Sequence, residues 1–331
     1  MAAAKQEGKV VVVGTTQDRM RDALTSAFQQ KYGIAVEYTG PTSREKVPQI
    51  QAERQAGQFN WDVWVDGTTT ALTALIPMKM LDPIEPVLML PEVKDAKAWR
   101  GGNGPEYLDK DKTVLVMTPF QRGTLFVNSA QVKPGDIKSY KDLLDPKWKG
   151  KILIDDPRGA GPGQATFTFF YQHPELGPDF IRALLKQDVQ LSRDFAQEVD
   201  TIGQGRLPIL IGGADAIANA RIKQGVPVTI VDPRTIKEGS DVSPASGAVG
   251  IFNKPAHSNA AKVFINWLLS KEGQTIFVQT QDFVSSRVDV PTDTVEPWRV
   301  PLPGAIKTYT QQAIELREPL FAILNEALAG R

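Results

Sequence analysis

The sequence has no cysteine among its 331 residues and only 2 histidines. The absence of cysteine excludes disulfide bonds, thiolate metal sites and a cysteine nucleophile. His173 and His257 both stand near prolines, in stretches that predict solvated surface loops. The sequence also shows no metal-ligand cluster, no nucleotide-binding fingerprint and no Ser-His-Asp order with plausible spacing. We therefore expect no catalytic residues, no bound metal and no cofactor.

Two further absences narrow the class of protein. Lys plus Arg and Asp plus Glu both number 38, so no basic surplus favours a nucleic-acid partner. No segment approaches the ~20 consecutive apolar residues that a membrane helix needs. Residues 1–9 are polar and lack the apolar core of a signal peptide, so we expect that an exported protein has already lost its leader.

The composition that remains is typical of a folded α/β protein. Apolar residues make up 41% and charged residues 23%, and 331 residues are enough for two domains. A run of β-branched residues at 9–13 and a second predicted strand at 34–38 flank an amphipathic helical segment at 18–31. This β–α–β order predicts a parallel sheet with helices on its faces.

The most informative stretch covers residues 149–164, with the sequence KGKILIDDPRGAGPGQ. It predicts a buried strand, then an acidic turn, then a glycine-rich entry into a helix. The backbone amides of Gly161 and Gly163 and the guanidinium of Arg158 would suit a bound anion. Two alternatives stay open: the glycines only turn the chain, and Arg158 is bonded to Asp155 or Asp156.

Three other predicted strands also end in small or polar residues where a helix begins. The strand at 9–13 precedes Thr15 and Thr16, and the strand at 61–65 precedes Gly67, Thr68 and Thr69. The strand at 207–211 precedes Gly213 and Asp215. Ligands of open α/β sheets bind at such strand ends, although each residue could equally cap its helix.

Two segments predict crossings between lobes, one near Arg122 and one at residues 243–247. Arg122 could contact a ligand or pair with an acid at the crossing. Residues 259–271 predict the clearest helix, which we expect Gly273 to end. A last helix is predicted from about residue 306 or 309 to residue 328.

Two stretches resemble the bacterial extracellular solute-binding proteins of ABC importers. They are DPKWKGKILIDDP at 145–157 and SPASGAVGIFNKPAHSNAAKVFINWLLSKEGQ at 243–274. The likeness is greatest to the branch that binds ferric iron, phosphonates, sugar phosphates, thiamine and polyamines. It implies two α/β lobes with mostly parallel sheets, a two-stranded hinge and a ligand cleft between the lobes.

The resemblance also implies a domain division, a location and partners. Lobe 1 would contain residues 9–121 and 246–331, and lobe 2 residues 122–245. The protein would be a periplasmic or extracellular monomer that binds a small molecule and delivers it to an ABC permease in the membrane.

The candidate residues favour an anionic ligand. Iron-binding members of the family hold the metal with two adjacent tyrosines on a second-lobe helix, and the matching segment at 215–223 has no tyrosine. Glycine amides, hydroxyls and guanidiniums suit a phosphonate, a sugar phosphate or another organic oxyanion. The candidate ligand-binding residues are Thr15, Thr16, Gly67, Thr68, Thr69, Arg122, Arg158, Gly161, Gly163, Gln164, Gly213 and Asp215.

Other functions remain possible on the sequence alone. If Asp66 and Asp215 both face the ligand, a polyamine or another cation such as thiamine becomes credible. Ferric iron is a further alternative. An enzyme or an effector-sensing domain on the same scaffold would require a general base or a DNA-binding helix pair, and the sequence gives no clear signal for either.

Overall fold

The structure is a computed structural model, and it describes residues 1–14, 18–39, 43–133, 135–159, 161–302 and 304–329. The chain divides into two units. Unit 1 consists of Met1–Phe120 and Ser243–Val300, and unit 2 consists of Gln121–Val242 and Pro301–Arg331. Each unit is therefore built from two separate pieces of the chain.

Unit 1 contains a mixed sheet. Its described strands are β1 Lys9–Gly14, β2 Ala35–Thr39, β3 Val63–Asp66, β4 Leu81–Asp82, β5 Glu106–Tyr107, β6 Val114–Val116 and β14 Ala248–Phe252. They follow the order β2-β1-β3-β14-β6-β5, with β4 paired to β14. Strands β1, β2 and β3 are parallel, and β14 joins β3 in the antiparallel direction.

Helices that pack on this sheet bury its valine-rich strands. Phe28 lies against Phe264 and Trp267, with ring centroids 5.1 and 5.3 Å away, at the centre of the apolar core. The helices are α1 Ala2–Glu7, α2 Asp18–Tyr32, α3 Ser43–Gln55, α4 Thr68–Thr70, which continues as a π-helix at Ala71–Leu75, α5 Pro91–Lys94, α10 Ser258–Leu269 and α11 Lys271–Gln279.

Unit 2 contains a second sheet. Its described strands are β8 Leu125–Asn128, β9 Ile152–Asp155, β10 Gln190–Ser192, β11 Ile209–Ile211 and β12 Val228–Ile230. They follow the order β10-β9-β11-β8-β12. Strands β10, β9 and β11 are parallel, whereas β8 runs antiparallel to both of its neighbours. Strands β7 Phe120–Gln121 and β13 Val242–Ser243 span the points where the chain passes from one unit to the other.

The helices of unit 2 pack on its sheet around a cluster of aromatic side chains. Phe170 contacts Tyr140, Phe167 and Phe180, with ring centroids 4.8 to 5.5 Å apart. The helices are α6 Pro162–Gln172, α7 Gly177–Leu185, α8 Phe195–Gly203, α9 Asp215–Lys223, α12 Gln311–Glu315 and α13 Arg317–Ala327. The predicted α/β fold with mixed sheets flanked by helices is confirmed. The sheets are less parallel than expected, because β14 in unit 1 and β8 in unit 2 run antiparallel to each of their neighbours.

The C-terminal segment differs from the sequence prediction. Residues 301–331 were expected in lobe 1, but they belong to unit 2. The reason is apolar packing: Leu320, Ile323 and Leu324 of α13 are buried in the unit 2 core. The chain therefore passes between the units a third time, between Val300 and Pro301.

One helix end also differs from the sequence prediction, and one helix was not predicted. Gly273 does not end a helix but lies in α11, because Ser270 is the N-cap of α11 and its hydroxyl accepts a hydrogen bond from the Gly273 amide at 3.3 Å. The polar start of the chain forms α1, with Ala4 buried. None of the helices in the described residues has the length and apolar character that a membrane crossing requires.

Candidate functional site

Several candidate residues of unit 2 lie at one edge of its sheet. The loops after β9 and β11 leave the sheet at this edge, because the two strands are parallel. The residues before β8 lie at the same edge, since β8 runs antiparallel to β11. We call this set the strand-end edge; it comprises residues 122–124, 155–159, 161–164 and 212–215.

The predicted anion site at the start of α6 is occupied by a carboxylate of the protein itself. The Gly163 amide donates a hydrogen bond of 2.6 Å to Asp155 Oδ2. Glycine is required here, because a Cβ on Gly163 would lie 2.1 Å from the Asp155 carbonyl oxygen. Gly161 is the N-cap residue of α6, and Pro162 takes the first helical position, where a missing N–H costs nothing. The side chain of Asp155 thus satisfies the amide that we had expected a ligand to bind.

Arg158 is also held within the protein. Its Nε and Nη2 donate to the two oxygens of Asp156, both at 2.8 Å. Arg193 binds the same carboxylate, with Nη2 2.7 Å from Asp156 Oδ2. Burial alone would raise the pKa of Asp156, but the hydrogen bonds from the two guanidiniums lower this pKa to about 2. One buried carboxylate therefore positions two cations at the strand-end edge, and this cluster of three side chains carries one excess positive charge.

Arg122 is a buried guanidinium that uses one nitrogen for bonds within the protein. Its Nη1 lies 3.4 Å from Asp241 Oδ2 and donates to the Pro162 carbonyl at 3.3 Å. Among the described residues, Nε and Nη2 have no hydrogen-bond partner. Asp241 is fully buried and fixes the arginine, so two donors of a planar fork remain for another acceptor.

A second buried acid lies below this edge. Glu198 on α8 is 0% exposed, and its pKa is raised to about 8 by burial and by the neighbouring Asp155. Burial also raises the pKa of Asp155, while the Gly163 amide and the charge of Arg122 oppose that increase. The edge therefore combines the guanidinium groups of Arg122 and Arg158 with the buried carboxyl group of Asp155, which neighbours Glu198.

The loop after β11 completes the strand-end edge. Gly212 packs directly against Gly163, because a Cβ on Gly212 would lie 2.7 Å from Gly163 Cα. Gly213 is buried beside Phe126, and both oxygens of Asp215 accept a hydrogen bond from the Gly123 amide at 3.2 Å. Asp215 is the first residue of α9, and Ala214 is its N-cap.

The remaining candidates are distributed over both units. Gln164 is buried in α6, and its carbonyl accepts from the Thr168 hydroxyl at 2.7 Å. In unit 1, the Gly67 amide donates to Asp66 Oδ1 at 2.7 Å, and Thr68 is buried at the start of α4. Thr69 is exposed, and its carbonyl accepts from the Thr73 hydroxyl. Thr15 and Thr16 lie outside the described residues.

Sequence reasoning missed three residues that shape the strand-end edge: Arg193, Glu198 and Asp241. Arg193 directly follows β10, so a predicted strand at 190–192 would have placed it at this edge. Glu198 lies on α8, and no sequence signal marks it as the buried acid of that helix. For metal binding, no group of three or more His, Cys, Asp or Glu side chains in the described part of the chain could hold an ion.

Comparisons with known proteins identify the family. Residues 23–301 match the sequence profile of the bacterial extracellular solute-binding proteins. An uncharacterised protein of Haemophilus influenzae is 26% identical over 285 residues, which cover 83% of this chain and 76% of the relative.

Solved structures show the same fold. One is the periplasmic binding protein AfuA of Actinobacillus pleuropneumoniae, with exogenous fructose 6-phosphate bound, which is 20% identical to this chain. The match covers 98% of this chain and 99% of AfuA, with a TM-score of 0.66. The ferric iron-binding protein A of Mannheimia haemolytica, in an open conformation, is 15% identical, and the match covers 97% and 98% of the two chains with a TM-score of 0.77. The chain therefore belongs to the bacterial extracellular solute-binding proteins, the family that supplies ABC importers.

Proposed function

We propose that this protein captures a small anionic solute at the strand-end edge and delivers it to an ABC permease. The solute would be a phosphonate, a sugar phosphate or another organic oxyanion. The protein would act by binding and release, without turnover of the solute, on the outer side of the cytoplasmic membrane and as a monomer.

The observation that carries this proposal is the state of Arg122. Its side chain is 9% exposed, and within the described residues only Nη1 is engaged. The other two nitrogens of this guanidinium are free of bonds within the described residues, so they can donate to a bound acceptor. A phosphate or carboxylate group supplies two oxygens in the geometry of this fork.

A second arginine cluster at the strand-end edge supports the same class of ligand. Arg158 and Arg193 share the single carboxylate of Asp156, so this cluster carries one excess positive charge. Arg158 Nη1 has no hydrogen-bond partner among the described residues, and the Arg158 side chain is 24% exposed. Asp215, which could have favoured a cation, is instead bonded to the Gly123 amide.

Calorimetry with a panel of ligands tests the proposal. The panel contains fructose 6-phosphate, a phosphonate and citrate, together with spermidine and ferric ion as representatives of the alternatives. We expect one anion to bind per protein molecule and the cations not to bind. Tight binding of spermidine or ferric ion, with no binding of any anion, would refute the proposed ligand class.

Substitutions then test the assigned residues. Arg122→Lys keeps the charge beside Asp241 but removes the planar fork, so we expect anion binding to weaken by about 1.5–3 kcal/mol. The matched control is Arg221→Ala, which removes an arginine of unit 2 that is paired with Asp200 on the helices α8 and α9. Equal anion affinity of Arg122→Lys and the control, with both proteins folded by circular dichroism, would remove Arg122 from the site.

A further inference from the structure

Glu198 is a buried acid that the proposed binding mode does not use. It lies on α8 with 0% exposure, and within the described residues neither carboxyl oxygen has a hydrogen-bond partner in good geometry. Asp155 and Ser192 face this carboxyl group. An ionised carboxylate in such a place would lack the donors that stabilise its charge, so the neutral acid is favoured.

The Asp155 carboxylate connects Glu198 to the start of α6. Asp155 Oδ2 accepts from the Gly163 amide at 2.6 Å, and Gly163 follows Pro162, whose carbonyl binds Arg122. When Glu198 is protonated, its O–H can donate towards Asp155. When both acids are ionised, two negative charges face each other in a buried place, which is unfavourable.

The other charged groups around this pair favour retention of a proton. Asp194 at the N-cap of α8 and Asp156 beside Asp155 add negative charge, and Arg122 adds one positive charge. Helix α9 packs on α8, where its Arg221 is paired with Asp200. The strand side chains around α8 are apolar, namely Phe126, Leu153, Leu210 and Val228.

We propose that Asp155 and Glu198 share one proton beneath α6 and thereby make anion binding at the strand-end edge depend on pH. This inference rests on the proposed anionic solute. In the protonated state, Asp155 holds the Gly163 amide, and the Pro162 carbonyl next to it keeps Arg122 in place. When Glu198 releases its proton to water, the added negative charge repels both Asp155 and the bound anion. Glu198 is thus a positioning residue, since it acts through Asp155 and α6.

The direction and size of the effect follow from proton linkage. Because an anion and the proton stabilise each other's binding, the affinity falls as the pH rises through about 8, where Glu198 loses its proton. If only the protonated state binds well, the fraction of competent protein falls about tenfold between pH 7 and pH 9.

The first measurement uses the protein without ligand. Urea unfolding at several pH values compares the native chain with Glu198→Gln, which keeps the shape and carries no charge. We expect the unfolding equilibrium constant of the native chain, relative to Glu198→Gln, to rise by up to about tenfold per pH unit between about pH 5 and pH 8. The control Glu326→Gln removes an exposed carboxylate of α13 and should match the native chain. A constant ratio for Glu198→Gln overturns proton sharing.

The second measurement uses sulfate, an oxyanion whose charge does not change in this pH range. We expect about tenfold weaker sulfate binding at pH 9 than at pH 7 for the native chain, and a flat profile for Glu198→Gln. Flat profiles for both proteins, with sulfate bound, overturn the coupling and leave the anionic function intact. If neither sulfate nor any anion of the ligand panel binds, the proposed function fails and the coupling fails with it, whatever the urea result shows.

Discussion

Asp156 offers a stability test that does not depend on the ligand. The substitution Asp156→Asn removes the charge that binds Arg158 through Nε and Nη2 and Arg193 through Nη2. Both arginines keep their positive charges and then face each other across a neutral amide. The native protein should therefore be more stable than the variant at neutral pH.

The magnitude follows from the pKa of the Asp156 carboxyl group. Its folded-state value of about 2 lies below the ordinary value of 3.8. The difference corresponds to about 2.5 kcal/mol of stability, which is present above pH 4 and lost as the pH falls towards 2. Because the Arg193 side chain is 72% exposed, solvent weakens its share, and we expect about 1.5–2.5 kcal/mol.

Urea unfolding between about pH 6 and pH 3, followed by circular dichroism, measures this difference. The gap between the native protein and Asp156→Asn should be largest at pH 6 and about half as large at pH 3. Asp200→Asn is the matched control. Asp200 is paired with Arg221, but its side chain is 40% exposed, so loss of this ion pair should lower the stability by under about 1 kcal/mol. A gap that stays constant or widens in acid would contradict the reasoning.

Two further predictions concern single contacts. Gly163→Ala should destabilise unit 2 by about 3 kcal/mol, because the new Cβ would overlap the Asp155 carbonyl. The control Gly159→Ala should have little effect, because the atom nearest to its new Cβ is 3.7 Å away. Thermal melting compares the two variants, and equal melting temperatures would argue against the close packing at Gly163. Glu7→Ala should lower the stability by about 1–2 kcal/mol, because the Glu7 carboxylate caps α10 by accepting from the Asn259 and Ala260 amides. The control is Glu37→Ala, which removes an exposed carboxylate. An unchanged melting temperature for Glu7→Ala would show that this cap adds nothing to the stability.

The local elements around the strand-end edge could be predicted from the sequence. The β-branched run at 152–154 and the glycines after it correctly indicated β9 and α6. The partners of the polar groups could not be predicted. A free amide at Gly163 suits an external anion as well as it suits the side chain of Asp155, and only the path of the turn decides between them. The alternative that Arg158 binds Asp156 is the one that the structure shows.

The position of α13 shows a second limit of sequence reasoning. Leu320, Ile323 and Leu324 lie at helical spacing, so the sequence predicted an amphipathic helix there. The pattern states that the apolar face must be buried, but it does not state which core receives it. The family resemblance implied lobe 1 for this helix, whereas the aromatic core of unit 2 receives it. Glu198 is a similar case, because no spacing rule separates a buried acid from an exposed one on the same helix.

In both units, a segment that completes the core comes late in the sequence, and this order has a consequence for biosynthesis. In unit 1, β14 pairs with both β3 and β6, yet it is made after the whole of unit 2's sheet. In unit 2, the apolar core awaits α13, which follows the other helices and strands of both units in the chain. Neither unit can complete its core on the ribosome until most of the chain has emerged, so the nascent protein would carry open sheet edges that chaperones recognise.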